Sequence, residues 1–388
     1  MALSARARVL LLLAADLPAV TRAAPLTPRQ LDWLAAAPRA DAAAAGAARP
    51  DAARPDAGAA DAPRTDAGAA AAPRPDAARD RPAAHTPPEA TAPVPRDPLE
   101  RGAEAAAPDL GALLGWTAAE IAAQLGLPPD FAAAVAARLA ALPALERELA
   151  RLAGCGIQPL VVGEPPYPAR LIARLGRRAP TVLFCLGDLT ALPAAPGVGV
   201  VGSRQLFPHE RAWAAAVGAN LAAAGRPLIS GAAVGADQAA MHAALAAGGW
   251  VLAFLPDSLE SALTTRPALV GPWRDRLLLL SGPGPRQPFS AEAAHTRNRW
   301  IYALAHGTVV VTARAAKGGT WSGARAALSQ DLGPLAVLAP PDAALAAGSR
   351  ALLAAGAAPL PLPLPPDLAD WLARRRPPQL WDKGSEEI

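Results

Sequence analysis

The stretch 197-GVGVVGSRQ-205 decides how this chain is read. Gly197, Gly199 and Gly202 spell G-x-G-x-x-G, the pattern of a dinucleotide-binding turn between a strand and a helix. Such a turn needs a core strand before its first glycine. Here the preceding residues are TALPAAP, which cannot form one, so the strand must be VGVVG itself. Gly197 and Gly199 then lie at its start and within it, and the turn comes at Ser203 and Arg204. An acidic residue should also close the next strand to hold a ribose, and that place is Ser230-Gly231. No nicotinamide, flavin or other cofactor is expected. What remains is a strand ending in G-S-R at a sheet-to-helix loop, where open α/β sheets bind ligands. On this reading Gly202 lets a ligand approach the backbone, and Arg204 places a guanidinium there.

Working outward, apolar runs alternate with helical patterns. Strands are expected at 198–202, 227–230, 250–255, 277–280, 308–312 and 335–338, with earlier ones in GIQPLVV and TVLFCLGDL. Helices are expected at 209–224, 236–247, 292–305 and 320–330, and a short one at 366–376. Strands that are continuously apolar and separated by helices imply a parallel sheet covered on both faces. The fold class is therefore α/β, doubly wound and mostly parallel.

Three further constellations fall at strand ends. In 228-LISGAAVGADQAAMHAALAAGG-249, Ser230 and Gly231 end a strand, Gly235 bends the loop and Asp237 begins a helix. Free backbone N–H groups at such a start attract anions, with Asp237 serving as a cap or orienting nearby arginines. In 295-HTRNRWIYALAHGTVVVTA-313, Arg297, Asn298 and Arg299 occupy the early turns of a helix. Guanidinium groups there suit bidentate phosphate contacts. In 317-KGGTWSGARAAL-328, Lys317 and Gly318 open another helix. Together Gly202, Ser203, Arg204, Ser230, Gly231, Gly235, Asp237, Arg297, Asn298, Arg299, Lys317 and Gly318 should converge on one basic pocket for a phosphate-bearing chain. From 198 to 340 there are 12 Arg plus Lys against 7 Asp plus Glu.

Before this region the character of the chain changes. Residues 38–108 are almost entirely Ala, Pro, Asp, Arg and Gly, as in RPDAARPDAGAADAPRTDAG. Such a segment cannot bury enough surface to offset its ordering entropy, so a disordered linker is expected. It separates a helical segment, 1–37, from a small helical domain, 109–155, in which Thr117 and Glu120 have capping-box spacing. A sheet domain over 156–360 and a proline-rich tail over 361–388 complete the division.

The net charge is +4 and the sequence pI about 9.6, which favours polyanionic partners over acidic ones. All but two of the 37 basic residues are arginine, in a chain also rich in Ala and Pro, so arginine abundance alone signals nothing. Cys155 and Cys185 have no companion ligands and suggest neither a disulfide framework nor a metal site. The start MALSARARVLLLLAADLP has early arginines like a signal peptide, but its apolar run from Val9 is broken at Asp16. No stretch approaches the roughly 20 apolar residues of a membrane span. A cytoplasmic protein is expected.

The motifs VGVVGSR, SGAAVGAD, RNRWIYALAHGTVVV and KGGTWSGARAAL, with YPARLIARL and PTVLFCLGDL before them and GSRALLAAGAAPL after, resemble the DNA-processing protein A family (DprA, also called Smf). The resemblance covers about 151–360. It implies a Rossmann-like core preceded by a SAM-like helical domain, and single-stranded DNA binding without strong sequence preference. It also implies a homodimer and contact with the RecA recombinase during natural transformation, with no catalytic step. The pocket residues above would face the DNA. This sequence departs from the family at several places. Met241 stands where a histidine is usual, with His242 one position later, and Val234 replaces a polar loop residue. Ser281-Gly282-Pro283 lacks the family's acid, a Y-P pair is missing after the third strand, KGGT stands for K-S-G-T, and no winged helix follows. The competing reading is an enzyme, a phosphoribohydrolase of the lysine-decarboxylase-like (LOG) type. KGGTWSGAR has the glycines of that family's turn but not the glutamate that would serve as general acid/base.

Overall fold

The computed structural model describes residues 3–15, 17, 25–26, 30–31, 110–187, 189, 195–282, 284–314, 318–340 and 344–375. The linker expected over 38–108, Lys317 and the end of the tail lie outside the described residues.

A helical layer comes first. Helix α1, Ala5–Ala14, starts at Ser4, whose hydroxyl accepts the Ala7 N–H at 3.0 Å. Its residues Val9 to Leu13 are all buried. Helices α2 (Ala118–Leu125), α3 (Pro129–Leu139) and α4 (Leu142–Gly154) complete the layer. Thr117 and Glu120 form the expected capping box: the Glu120 carboxylate accepts the Thr117 N–H at 2.7 Å, and the Thr117 hydroxyl accepts the Glu120 N–H at 3.3 Å. Arg138 on α3 is 2% exposed and donates to the carbonyls of Leu12 and Ala15 at the end of α1. A cation there meets orphan carbonyls and the negative end of the helix dipole.

The remaining elements alternate. In order they are β1 (Ile157–Val161), α5 (Ala169–Leu175), β2 (Val182–Leu186), β3 (Val198–Val201), α6 (Pro208–Ala223), β4 (Leu228–Ser230), α7 (Ala236–Ala246), β5 (Val251–Phe254), α8 (Leu259–Thr265), α9 (Pro267–Val270) and β6 (Leu277–Ser281). After them come α10 (Ala291–Leu304), β7 (Gly307–Val310), α11 (Gly319–Ser329), β8 (Leu335–Leu338), α12 (Ala347–Ala354), β9 (Ala358–Leu360) and α13 (Leu368–Ala373). The six strands expected from Val198 onward and the four helices between them lie within two residues of the expected bounds.

The nine strands make one sheet in the order β1-β2-β6-β5-β4-β3-β7-β8-β9. From β6 to β9 every pair is parallel, whereas β2 runs antiparallel to both β6 and β1. The sheet is therefore mixed, with an antiparallel margin on the β6 side. Strand β3 lies between β4 and β7, so the chain leaves it in one direction and later returns to its other flank. This is a topological switch point between β3 and β7, the place in an open α/β sheet where ligands bind.

Two apolar clusters cover the two faces. Val198 and Val200 join the face packed by α6 and α7, while Val201, Ile229 and Phe254 join the face packed by α10 and α11. This period of two explains the glycines of the opening stretch. A Cβ on Gly199 would lie 2.5 Å from the Thr308 hydroxyl, and one on Gly197 would lie 2.8 Å from Ile229 Cδ1. Both are packing glycines within the sheet.

The described part of the tail is folded onto this sheet. Leu368, Ala369 and Leu372 of α13 are buried, and Asp367 both caps that helix and pairs with Arg226 at 2.6 Å. A network of ions ties the helical layer to the sheet: Arg151 on α4 meets Glu148 and Glu260, each at 2.7 Å, and Arg286 meets Glu260 at 3.0 Å.

Candidate functional site

The tips of β3, β4 and β7 are locked together before any ligand is considered. The Ser203 backbone N–H donates to the Thr312 carbonyl at 3.0 Å, and its hydroxyl accepts the Arg314 N–H at 3.1 Å. The Ser230 hydroxyl, fully buried, donates to the Val200 carbonyl at 2.7 Å. The Thr320 hydroxyl donates to the Gly202 carbonyl at 2.9 Å, joining the first turn of α11 to β3. Ser203 and Ser230 thus spend their hydroxyls on the scaffold.

The glycines set the distances between loops. A Cβ on Gly202 would sit 2.4 Å from Ala236 Cβ, so this residue admits the start of α7 against β3. The expectation that Gly202 opens the backbone to a ligand gives way here, because α7 occupies that space. Gly235 has φ +101°, and a Cβ there would lie 2.3 Å from the Ser203 carbonyl oxygen and 2.5 Å from that of Arg204. Only glycine permits this conformation together with this approach. The G-S-R turn and the G-x-A-x-G-x-D loop are therefore in direct backbone contact.

Within that frame Asp237 and Arg297 form the charged centre. Asp237 is 4% exposed, and its Oδ2 accepts the N–H groups of Gly231 at 3.3 Å and Ala233 at 3.4 Å. Arg297 is 6% exposed and lies against Gly231: a Cβ on that glycine would coincide with the guanidinium, 1.2 Å from Nη1. Burial pushes the Asp237 carboxyl up and the Arg297 guanidinium down, and each opposes the shift of the other. The Arg297 Nε is buried without a hydrogen-bond partner. Two other buried polar atoms at neighbouring tips share that state, Asp257 Oδ1 after β5 and Ser281 Oγ at the end of β6. An orphaned buried donor costs about 1–3 kcal/mol, and more on an ionised group.

The other expected residues surround this centre. Arg204 is exposed on the loop after β3. Asn298 is half-buried, with Nδ2 3.7 Å from where a Gly319 Cβ would be, so it faces the start of α11. Arg299 is half-buried, and two residues along a helix place it about 200° around the axis from Arg297. Gly318, with φ +87°, is the N-cap of α11 and supplies no side-chain cap, leaving the first N–H groups of that helix open. Lys317 lies outside the described residues. Met241 is fully buried, so the place where the family has histidine is here a core position.

Arg314 is a site residue that the sequence motifs did not bring out. It stacks on Phe207 at 4.3 Å, pairs with Glu210 and donates to the Gln205 carbonyl at 3.2 Å. It holds the G-S-R turn to the tip of β7, more than 100 residues away in sequence. The signal available was its position just beyond an apolar run, as for Arg204 after VGVVG. Three large apolar side chains are exposed among the described residues, Phe207, Val234 and Phe289, all on loops that follow β3, β4 and β6. A cavity of about 810 Å³ at the other end of the sheet, lined by Ile157, Leu186, Arg274 and Leu277, shares none of these groups.

No group of His, Cys, Asp and Glu among the described residues could hold a metal ion, and no described helix is long and apolar enough to cross a membrane. No curated protein matches the chain. Among solved structures, DNA processing protein A from Streptococcus pneumoniae is 27% identical over 63% of this chain and 83% of its own, with a TM-score of 0.48. DNA processing protein A from Helicobacter pylori, described for its mode of binding single-stranded DNA, is 25% identical over 52% of this chain and 89% of its own, with a TM-score of 0.44. The molybdenum cofactor carrier protein of Chlamydomonas reinhardtii is 20% identical over 37% of this chain and 76% of its own, with a TM-score of 0.27. The model of the family described as DNA recombination-mediator protein A matches residues 158–362, just over half of the chain and nearly the whole sheet, and the chain belongs to that family.

Proposed function

We propose that this protein binds single-stranded DNA at the tips of β3, β4 and β7, with its phosphates drawn to Arg297 and the helix start of α11, as a recombination mediator. The observation that carries the reading is Arg297: buried, charged and short of a hydrogen-bond partner beside Gly231. A phosphate brought to the guanidinium would compensate its charge. The exposed Arg204 and the open N–H groups of α11 extend the same positive field. Contacts of this kind read the backbone and not the bases, which suits binding without sequence preference.

The finer parts of the proposal concern what surrounds the pocket. The helical layer of α1 to α4 is read as the SAM-like domain, with 38–108 as its linker and 156–360 as the DNA-binding domain. RecA contact, a homodimer, a cytoplasmic location and a non-catalytic role complete it. A phosphoribohydrolase would need a glutamate near the start of α11, and GGTWSGAR has none there.

Fluorescence anisotropy with a labelled oligothymidylate tests the reading. Binding should be present at low salt and fall steeply as salt rises, since phosphate contacts release counterions. A flat signal at low salt refutes it, and release of adenine from AMP would turn the assignment to the enzyme.

A further inference from the structure

The loop carrying Arg204 leaves the pocket as an aromatic ridge. Phe207 is 56% exposed, and its ring centroid lies 5.7 Å from that of His209 with 21° between the planes. The His209 ring in turn meets Trp213 at 4.8 Å, edge to face. The Arg314 guanidinium lies against the Phe207 ring, 4.3 Å from its centroid.

Two features make this ridge hard to explain as scaffold. Phe207 is the N-cap of α6, a place where a short polar side chain would cap the open N–H groups, and it makes no side-chain cap bond. The Glu210 carboxylate takes over part of that task, accepting the Phe207 N–H at 2.8 Å. The ring is also left mostly in water, which forgoes much of the gain from burying it. A helix start that gives up its cap to display an aromatic ring suits a ligand with flat faces.

We propose that Phe207, His209 and Trp213 are a stacking shelf for unpaired nucleobases of the strand whose phosphates sit at Arg297. The inference rests on the DNA-binding reading and adds what the bases touch. Continuity favours a nucleic acid: Phe207 is three residues from Arg204, and Arg314 is bonded to the Ser203 hydroxyl at the pocket's edge. Charge does so as well, since Arg204 and Arg211 are exposed on either side of the ring in sequence, while Glu210 is paired with Arg314. Every base has a π-face, so such a shelf is indifferent to sequence, and a cation beneath a ring adds to the stack.

The test compares oligothymidylate with an abasic strand of equal length and phosphate number, titrated against the wild type, Phe207→Ala and Phe207→Tyr. Phe207→Ala should weaken oligothymidylate about tenfold and the abasic strand by less than about twofold. The slope of log affinity against log salt should not change, because no phosphate contact is lost. Phe207→Tyr should bind like the wild type. Equal losses on the two strands, or no loss on oligothymidylate, would overturn the shelf while leaving the phosphate pocket standing. Loss of dimer mass in light scattering with unchanged DNA affinity would also overturn it, by assigning the ring to a second copy of the chain. A wild type that binds neither strand would remove the DNA-binding reading itself.

Discussion

Among the described residues two arginines are buried, and their surroundings differ. Arg138 sits in the helical layer, 2% exposed, with its guanidinium donating to the carbonyls of Leu12 and Ala15. Arg297 sits at the strand tips, 6% exposed, beside a glycine and with its Nε unpaired. The first charge completes a helix end and holds α1 in place. The second has Asp237 as its counter-charge, and that carboxylate also accepts two backbone N–H groups. Burial alone does not separate structure from function; the state of the hydrogen-bond partners does.

Substitutions should separate the two arginines cleanly. Arg138→Met keeps volume but strands the carbonyls of α1. It should cost about 2–4 kcal/mol of stability in urea unfolding, with DNA affinity per folded molecule unchanged. Asp237→Asn should cost about 2 kcal/mol, because it leaves Arg297 buried without its counter-charge, and added oligonucleotide should recover part of the loss by binding the native state. Gly231→Ala sharpens the contrast further. Its Cβ would coincide with the Arg297 guanidinium and evict it without altering any charge. Anisotropy should show about tenfold weaker DNA binding, or roughly 1.4 kcal/mol, and urea unfolding a loss of about 1–3 kcal/mol from the displaced buried guanidinium.

The smallest effect concerns the ions between the layers. The Arg151 guanidinium holds the Glu148 carboxyl below the usual glutamate range. A depressed carboxyl contributes stability above its unfolded pKa and loses it as pH falls through the folded value. Unfolding midpoints should therefore drop on acidification below the ordinary glutamate range, and Glu148→Gln should flatten that dependence. Because Arg151 and Arg286 are substantially exposed, the effect at neutral pH should stay below about 1 kcal/mol.

The parallel part of the sheet was legible because its strands are short, continuously apolar and cut by helices. What the sequence did not reveal depends on contacts between distant residues. The antiparallel pairing of β1 and β2 has no local signature, since either direction suits a strand buried throughout, such as β2. Strand β9 is only three residues long and contains Pro359, so nothing in it stands out. The short helix expected at 366–376 is present over Leu368–Ala373, but nothing in the proline-rich tail tells that Leu368 and Leu372 pack on the face beneath β7. At the candidate site, residue types pointed to loops that the fold brings together but not to the contacts each residue makes there. Ser203 and Ser230 are as polar as a ligand contact should be, and both hydroxyls are consumed between strands. Gly202 has the place of a ligand-facing glycine and serves helix packing. Arg314 escaped notice because its partners, Ser203, Gln205 and Glu210, precede it by more than 100 residues.

The central claim is that Arg297 is buried for a ligand and not for the fold. The direct test is the paired variant Arg297→Met/Asp237→Asn, with oligothymidylate affinity and urea unfolding measured on the same preparation. Removing both buried charges together leaves neither stranded and should leave stability nearly unchanged, while DNA affinity falls at least tenfold and the salt slope shrinks by about one unit. A variant that unfolds more easily yet binds DNA as tightly per folded molecule would make Arg297 a second Arg138 and contradict the account.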